Sequence, residues 1–185
     1  MPIDLHRFVV FFHVVGMIGI VAGVTIEWIS VRSLMQATTY EEVRHGIALW
    51  PLLQRVGLPS FLVVLVSGIY LATRLAVWRF AWAAIALPTL VLVAAAGAVI
   101  GPRRGRIRAA TTTGSGRLAN DARLIARDPM ILASWRFRTA LLSGLVLEMT
   151  TKPDYAGVIM IFVAGILGIA WGALPWATSG RRDRQ

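Results

Sequence analysis

The chain has 185 residues, of which 57% are hydrophobic and only 15% are charged. A soluble domain carries about a quarter charged residues, so the excess of apolar side chains favours an integral membrane protein. The absence of cysteine excludes disulfides, thiolate metal sites, iron–sulfur clusters and covalently attached c-type haem.

Five segments are predicted to cross the membrane. Four are plainly apolar and cover residues 8–31, 51–75, 80–100 and 155–176. Each can supply the ~20 residues that a ~30 Å hydrocarbon core requires. The remaining segment, residues 131–151, is weaker because Arg136 and Arg138 lie in its first two turns, although long basic side chains can reach the headgroups. The sequence therefore predicts a single all-α domain over the whole chain, a transmembrane helical bundle in which four helices can form the core.

Charge decides between four and five spans. The net charge of +10 rests on 18 arginines and one lysine, Lys152. With five spans, one side of the membrane receives the arginines of the first loop, the long loop 101–130 and the C-terminal tail. The other side receives only Arg7, Arg74, Arg79 and Lys152. The positive-inside rule then predicts an outer N-terminus and a cytosolic C-terminus in the bacterial inner membrane.

The long cytosolic loop, residues 101–130, divides into two parts. Residues 102–116 are basic and then rich in Thr, Gly and Ser, which predicts a mobile stretch. Residues 118–128 place Leu118, Ala122 and Ile125 on one helical face, which indicates a short amphipathic helix on the inner membrane surface. We expect this loop to contact anionic lipids rather than nucleic acid, because membrane topology already explains its charge.

Small residues recur at four-residue spacing in two spans. They are Gly19 and Gly23, preceded by Gly16, in the first span, and Ala164, Gly168 and Gly172 in the last. Such residues let helix backbones approach closely in lipid. Packing within one chain and the interface of a homodimer or larger membrane complex both explain the pattern.

The first span carries an embedded histidine, His13. Met17 follows it by four residues and lies on the same helical face, and His6, seven residues earlier, lies roughly there as well. Imidazole and thioether groups are ligands for copper, and either can bind haem iron axially. The alternative is a histidine that only hydrogen-bonds to a neighbouring helix. Since His45 falls in the cytosolic segment 38–49, a haem with two histidine ligands from one chain is not expected. Pairing of His13 across a dimer, or with Lys152 or Met17, is the alternative.

Other ionisable residues are predicted at the depth of His13. Glu148 precedes Lys152 by four residues, the favourable order for an ion pair on a helix, and Arg74 ends the second span on the same side. Together with His13 they form a predicted outer polar cluster, which is suited to an anionic ligand such as a haem propionate or to proton relay. A structural ion-pair network is the alternative.

Glu27 lies near the inner end of the first span. Arg55, early in the second span, is expected at a similar depth, so a Glu27–Arg55 ion pair would hold the two helices together. The chain has no zinc-protease, P-loop, dinucleotide-binding or nucleophile-elbow motif. We therefore predict no catalytic residues.

Several stretches resemble small bacterial membrane proteins related to CopD and to HemJ-type protoporphyrinogen oxidases, a group that includes integral membrane proteins of unknown function. The first span, FHVVGMIGIVAG, is similar to their opening helix, in which small residues follow a histidine by nine and ten positions, as Ala22 and Gly23 follow His13. The stretches LLQRVGLPSFLVVLVSGIYLA and RFRTALLSGLVLEMTTKP resemble later helices of the group. IGPRR, after the third span, resembles a stretch in the proteins of unknown function.

The resemblance implies that His13 corresponds to the histidine that HemJ-type enzymes are thought to use in binding haem. It also argues against oxidase activity, because Ala86, within WAAIALPTL, stands where those enzymes carry a lysine. The CopD likeness would make copper the metal, with His6, His13 and Met17 as ligands. We expect a non-catalytic, accessory or redox-related protein that holds haem b or a related tetrapyrrole at His13. The alternatives are a copper or ion transport protein and a structural subunit of a larger membrane complex.

Overall fold

The computed structural model describes residues 4–152 and 156–182, with side chains for residues 4–152 and 158–171. Every regular element in these ranges is a helix. In chain order the α-helices are α1 Leu5–Gln36, α2 Tyr40–Ala48, α3 Trp50–Arg74, α4 Ala81–Ala98, α5 Gly101–Thr111, α6 Asn120–Ala126, α7 Pro129–Thr151 and α8 Ala156–Arg182. A single 3₁₀ turn, Val77–Arg79, links α3 to α4.

Four helical stretches are long and apolar enough to cross a membrane. They are Leu5–Gln36, Tyr40–Arg74, Ala81–Thr111 and Asn120–Thr151, and they cover the predicted spans 8–31, 51–75, 80–100 and 131–151 except for residues 75 and 80. A shorter apolar stretch, Val158–Trp171, belongs to α8. Tyr155, where the fifth span was predicted to begin, lies outside the described residues, as do residues 183–185 of the basic tail. The chain is thus built as a multi-pass helical membrane protein.

The α1 and α3 helices form a closely packed antiparallel pair. A Cβ atom added at Gly16 would lie 2.8 Å from the Val64 Cγ2, and one at Gly23 would lie 3.3 Å from the Gly57 Cα. Gly19 lies against the Ser60 side chain in the same interface. The glycines of the first span therefore serve the close approach of two helices of one chain.

The α7 and α8 helices form a second antiparallel pair of the same kind. A Cβ at Gly144 would lie 2.8 Å from the Ala164 Cβ, and one at Gly168 would lie 2.9 Å from the Ala140 Cβ. Gly172, the third member of the predicted repeat, lies outside the residues whose side chains are described. Two members of the last span's small-residue pattern are thus also used within the chain.

One apolar core joins the two pairs through α4. Its buried members are Ile20, Val64, Ala86, Leu90 and Leu145, with Met17, Val24, Phe61, Leu65, Leu142, Met149 and Ile161 packed against them. We call this set the span core. Because α1, α3, α4 and α7 contribute its buried residues, these four helices surround one apolar centre, and α8 adds Ile161 at its edge.

The connecting segments α2, α5 and α6 fold into a second apolar unit at one end of the bundle. We call this unit the cap, and the opposite end, where α1 begins and α3 and α7 end, the open end. The buried residues of the cap are Val31, Leu34, Ala37, Val43, Ile47, Trp50, Ile100, Ile107, Leu118, Ala122, Ala126 and Ile131. Backbone hydrogen bonds from Tyr40 to Gly116 (3.1 Å) and from Leu118 to Thr38 (2.8 Å) tie its segments together.

The cap changes the interpretation of the basic loop. Gly101–Thr111, predicted to belong to a mobile stretch, instead forms α5, because Ile107 and Thr111 are buried against the rest of the cap. The predicted short helix within residues 118–128 is present as α6. However, it buries Ala122 and Ala126, with Leu118 buried just before it, while Ile125, expected on the apolar face, is exposed.

Candidate functional site

His13 lies half-buried in α1, where a hydrogen bond attaches its ring to α3. The His13 Nδ1 is 2.9 Å from the Ser67 Oγ, and the Ser67 hydroxyl donates in turn to the Val63 carbonyl at 2.5 Å. The ring edge lies against Gly68, where an added Cβ would be 3.3 Å from the His13 Cε1. The absence of a side chain at position 68 gives the imidazole its room.

The Ser67 hydroxyl fixes the orientation of the His13 ring. When this hydroxyl donates to the Val63 carbonyl, its oxygen accepts a hydrogen bond from the His13 Nδ1–H. The neutral ring then carries an unprotonated Nε2, which has no hydrogen-bond partner within the described part of the chain. An imidazole oriented through one nitrogen, with a lone pair on the other, has the form of a metal-ligating histidine.

The predicted copper ligands do not form one site. His6 and Met17 are eleven residues apart on the continuous helix α1, so their backbones are separated by about 16 Å along its axis. The Met17 side chain packs against the span core. In the ranges that the structure describes, no group of three His, Asp or Glu side chains is arranged to hold a metal ion. Met17 and His13 remain neighbours on one face, but His6 cannot join both on a single ion.

Glu148 lies inside the bundle near the open end. Its relative exposure is 0%, and neither carboxylate oxygen has a hydrogen-bond partner among the described residues. Leu145 and Met149, its neighbours on α7, belong to the span core. Glu148 is therefore a carboxyl group in an apolar environment.

The predicted ion pair between Glu148 and Lys152 does not form in the structure. Lys152 ends α7 in the left-handed conformation (φ 46°, ψ 49°), and its backbone N–H donates to the Glu148 carbonyl at 2.8 Å. Because Lys152 is no longer helical, the two side chains lose the i,i+4 geometry on which the prediction depended. Arg74 and Lys152 are both exposed at the ends of their helices.

His13 and Glu148 nevertheless lie at a similar level of the bundle. The register of α1 against α7 is fixed by the Trp135 Nε1, which donates to the Val24 carbonyl at 3.2 Å. From this contact His13 is eleven residues away and Glu148 thirteen, about 16 Å and 20 Å along antiparallel helices. Of the four residues predicted to form the outer cluster, His13 and Glu148 therefore lie within the bundle, whereas Arg74 and Lys152 are exposed at its end.

The cap end of the bundle holds a buried charged group that joins three helices. Glu27, 2% exposed, accepts hydrogen bonds from Arg104 of α5 and from the Arg138 Nη2 of α7, the latter at 2.6 Å. The predicted Glu27–Arg55 pair is wrong, because Glu27 is directed toward α5 and α7 while Arg55 is exposed on α3. We call Glu27, Arg104 and Arg138 the charge triad.

Tryptophans surround the charge triad. Trp28 stacks on Trp135 with 4.4 Å between ring centroids, and Trp171 meets Trp135 edge-on at 5.8 Å. The Arg104 guanidinium lies 5.6 Å from the centre of the Trp50 ring. The Trp50 ring thus adds a cation–π contact to the Arg104 guanidinium.

The comparisons with family models, curated proteins and solved structures found no match for this chain. What the site does must therefore be inferred from its own residues, and the likeness to CopD and HemJ-type proteins stays a prediction.

Proposed function

We propose that this chain is a multi-pass protein of the bacterial inner membrane that binds haem b, or a related tetrapyrrole, through His13, in an accessory or redox-related role. The observation that carries this proposal is the hydrogen bond between His13 Nδ1 and Ser67, which leaves Nε2 as a lone-pair donor. An imidazole nitrogen with no partner is costly in an apolar environment, and a bound iron would satisfy it.

Arg74 supports the proposal from the same helix as Ser67. It follows Ser67 by seven residues, so it lies about 10 Å nearer the open end, and it is exposed there. A cation at that position suits a carboxylate at the membrane surface, such as a haem propionate. Lys152 offers a second exposed cation at the same end.

Within the described part of one chain, His13 is the residue that would bind the iron. Met17 lies on the same helical face, one turn away, and packs against the span core. His45 lies on α2 in the cap. We accordingly expect each chain to provide one histidine ligand, His13. Where the haem iron binds two histidines, the second would come from another copy of this chain. When bound, haem supplies one-electron redox chemistry.

The spectrum of the purified protein tests this proposal. Protein extracted from cells with ample haem should show a Soret band that His13→Ala abolishes. His6→Ala and His45→Ala are the matched controls, because they remove the other two histidines of the chain and should keep the band. A colourless wild-type protein, or equal spectra for all three variants, would refute haem binding at His13. Copper that is lost only when His13 and Met17 are both replaced would indicate transport instead.

Five spans with the cap in the cytosol are part of the same proposal. The cap carries exposed arginines, including Arg106, Arg108 and Arg117, which fits both the positive-inside rule and contact with anionic lipids. Because the chain has no cysteine, single cysteines give a clean test. An impermeant maleimide applied to intact cells should label Thr151→Cys, but should label Ser115→Cys and Arg184→Cys only after permeabilisation. Labelling of positions 151 and 184 from one side would exclude five spans.

A further inference from the structure

We propose that Glu148 is a proton-binding site, a carboxylic acid that keeps its proton at neutral pH inside the open-end half of the bundle. This inference concerns a residue that haem binding at His13 does not require, and it holds whether or not haem is bound. The ligand it assigns to the protein is the proton.

Burial is the first reason. Glu148 is 0% exposed, and both of its carboxylate oxygens lack hydrogen-bond partners among the described residues. A carboxylate moved into apolar surroundings without a partner costs far more than an unsatisfied neutral group, so such a side chain takes up a proton instead. The protonated acid is also the form that a membrane interior tolerates.

The second reason is that the described residues of the elements packed against α7 bring no compensating charge to Glu148. Helix α4 has no ionisable residue, and neither does the described apolar stretch of α8, Val158–Trp171. Helix α1 offers His13 at this level, and its ring is engaged with Ser67. Lys152, the nearest cation on α7 itself, is exposed beyond the helix end.

Glu27 provides an internal comparison. It is equally buried, at 2%, but it accepts hydrogen bonds from two guanidinium groups, which stabilise its ionised form. The chain therefore holds two buried glutamates in opposite environments. We infer that they differ in protonation at the same pH, with Glu27 ionised and Glu148 neutral.

The difference in protonation between Glu27 and Glu148 can be measured with dicyclohexylcarbodiimide, an apolar reagent that enters membranes and reacts with protonated carboxyl groups. The acid O–H adds across one C=N bond of the reagent: the proton goes to nitrogen, and the carboxyl oxygen bonds to the central carbon. Transfer of the acyl group from oxygen to nitrogen then gives a stable N-acylurea. The reaction is an addition, so no oxidant, reductant or leaving group is needed.

The full-length protein in membranes at neutral pH should gain one carbodiimide on the peptide that contains Glu148 and none on the peptide that contains Glu27. Glu148→Gln, which has nearly the same shape, should remove the adduct. A water-soluble carbodiimide should reverse the preference and modify exposed carboxyl groups such as Glu41. Adducts on Glu27 and Glu148 to the same extent would overturn the proposal.

Infrared spectroscopy decides the question without relying on access of the reagent. The difference spectrum between wild type and Glu148→Gln at neutral pH should contain the C=O stretch of a protonated carboxylic acid. The paired bands of a carboxylate in its place would overturn the proposal, whatever the labelling result. Both measurements can be made on haem-free protein, so failure of haem binding at His13 would leave their outcome unchanged.

Discussion

Replacing Glu27 by glutamine should be among the most destabilising conservative substitutions in this protein. The change removes one negative charge and almost no volume. It leaves Arg104 and Arg138 close together without the carboxylate that both contact. The expected loss comes from two uncompensated guanidinium groups next to the span core, and not from a cavity.

The size of the effect follows from burial. Breaking a buried ion pair by removing one partner costs about 3–5 kcal/mol. The Arg104 and Arg138 side chains retain 19% and 15% of their exposure, so some screening by water and headgroups remains. We therefore expect a loss of about 3 kcal/mol in the free energy of unfolding. Glu41→Gln is the matched control, because its pair with Arg44 is about half exposed and should be worth under about 1 kcal/mol.

Reversible unfolding in mixed micelles, followed by tryptophan fluorescence, measures both variants. Trp28 and Trp135 stack beside the charge triad and report on its surroundings. Replacing all three triad residues by apolar side chains of similar size should cost less than Glu27→Gln alone, since no charge is then left without a partner. If Glu27→Gln costs no more than Glu41→Gln, the triad is not the buried electrostatic unit described above.

Three further substitutions test the packing by the same unfolding measurement. Gly144→Val should separate α7 from α8 and lower the free energy of unfolding by about 1–3 kcal/mol. Gly105→Ala, whose added methyl group meets nothing within 4 Å, should be neutral or slightly stabilising. Equal effects of the two substitutions would contradict the close packing at Gly144. Trp50→Phe removes the hydrogen bond to the buried Ser30 hydroxyl (2.9 Å) and should cost about 1–3 kcal/mol, and an unchanged stability would show that this bond contributes nothing. Asp128→Ala removes the cap of α7 and the ion pair with Arg103 (2.7 Å); a loss of at least about 1 kcal/mol is expected, and a smaller loss would count against the capping role.

The membrane spans could be predicted because lipid imposes a simple requirement on sequence. Runs of about 20 apolar residues are needed to cross, and four of the five predicted segments match helical stretches that meet this criterion, two of them with one residue outside. Even the weak segment, residues 131–151, forms α7, since Arg138 is neutralised by Glu27 within the bundle. The glycine pattern of the first span likewise predicted close helix packing, and these glycines of α1 lie against α3.

The cap could not be predicted in the same way. Gly101–Thr111 has a poor helical sequence that contains two glycines, a proline and four arginines, and its helix is stabilised by contacts with residues distant in the chain. Ile107, for example, packs in one cluster with Val31 and Val43. Such contacts leave no periodic signal, so composition alone predicts a mobile segment here.

The partner of Glu27 was missed for a related reason. Depth along two neighbouring spans suggested Arg55, whereas Arg104 lies 77 residues from Glu27, in a segment that was assigned to a mobile loop. Arginines that flank a span at its arginine-rich end are candidate ion-pair partners for any buried carboxylate near that end. Applied to Glu27, this rule would have included Arg104 and Arg138.

The two ends of the bundle differ in the environment of their buried glutamate. At the cap end, one carboxylate and two guanidinium groups leave a net positive charge next to the arginine-rich cap. The ion pairs of that end join α1, α5 and α7. At the open end, the Glu148 carboxyl has no hydrogen-bond partner among the described residues, and the His13 imidazole is bonded to the neutral Ser67 hydroxyl. Chemistry that requires a proton or a ligand to come and go is therefore expected at the open end, and the cap end serves to hold the helices in register.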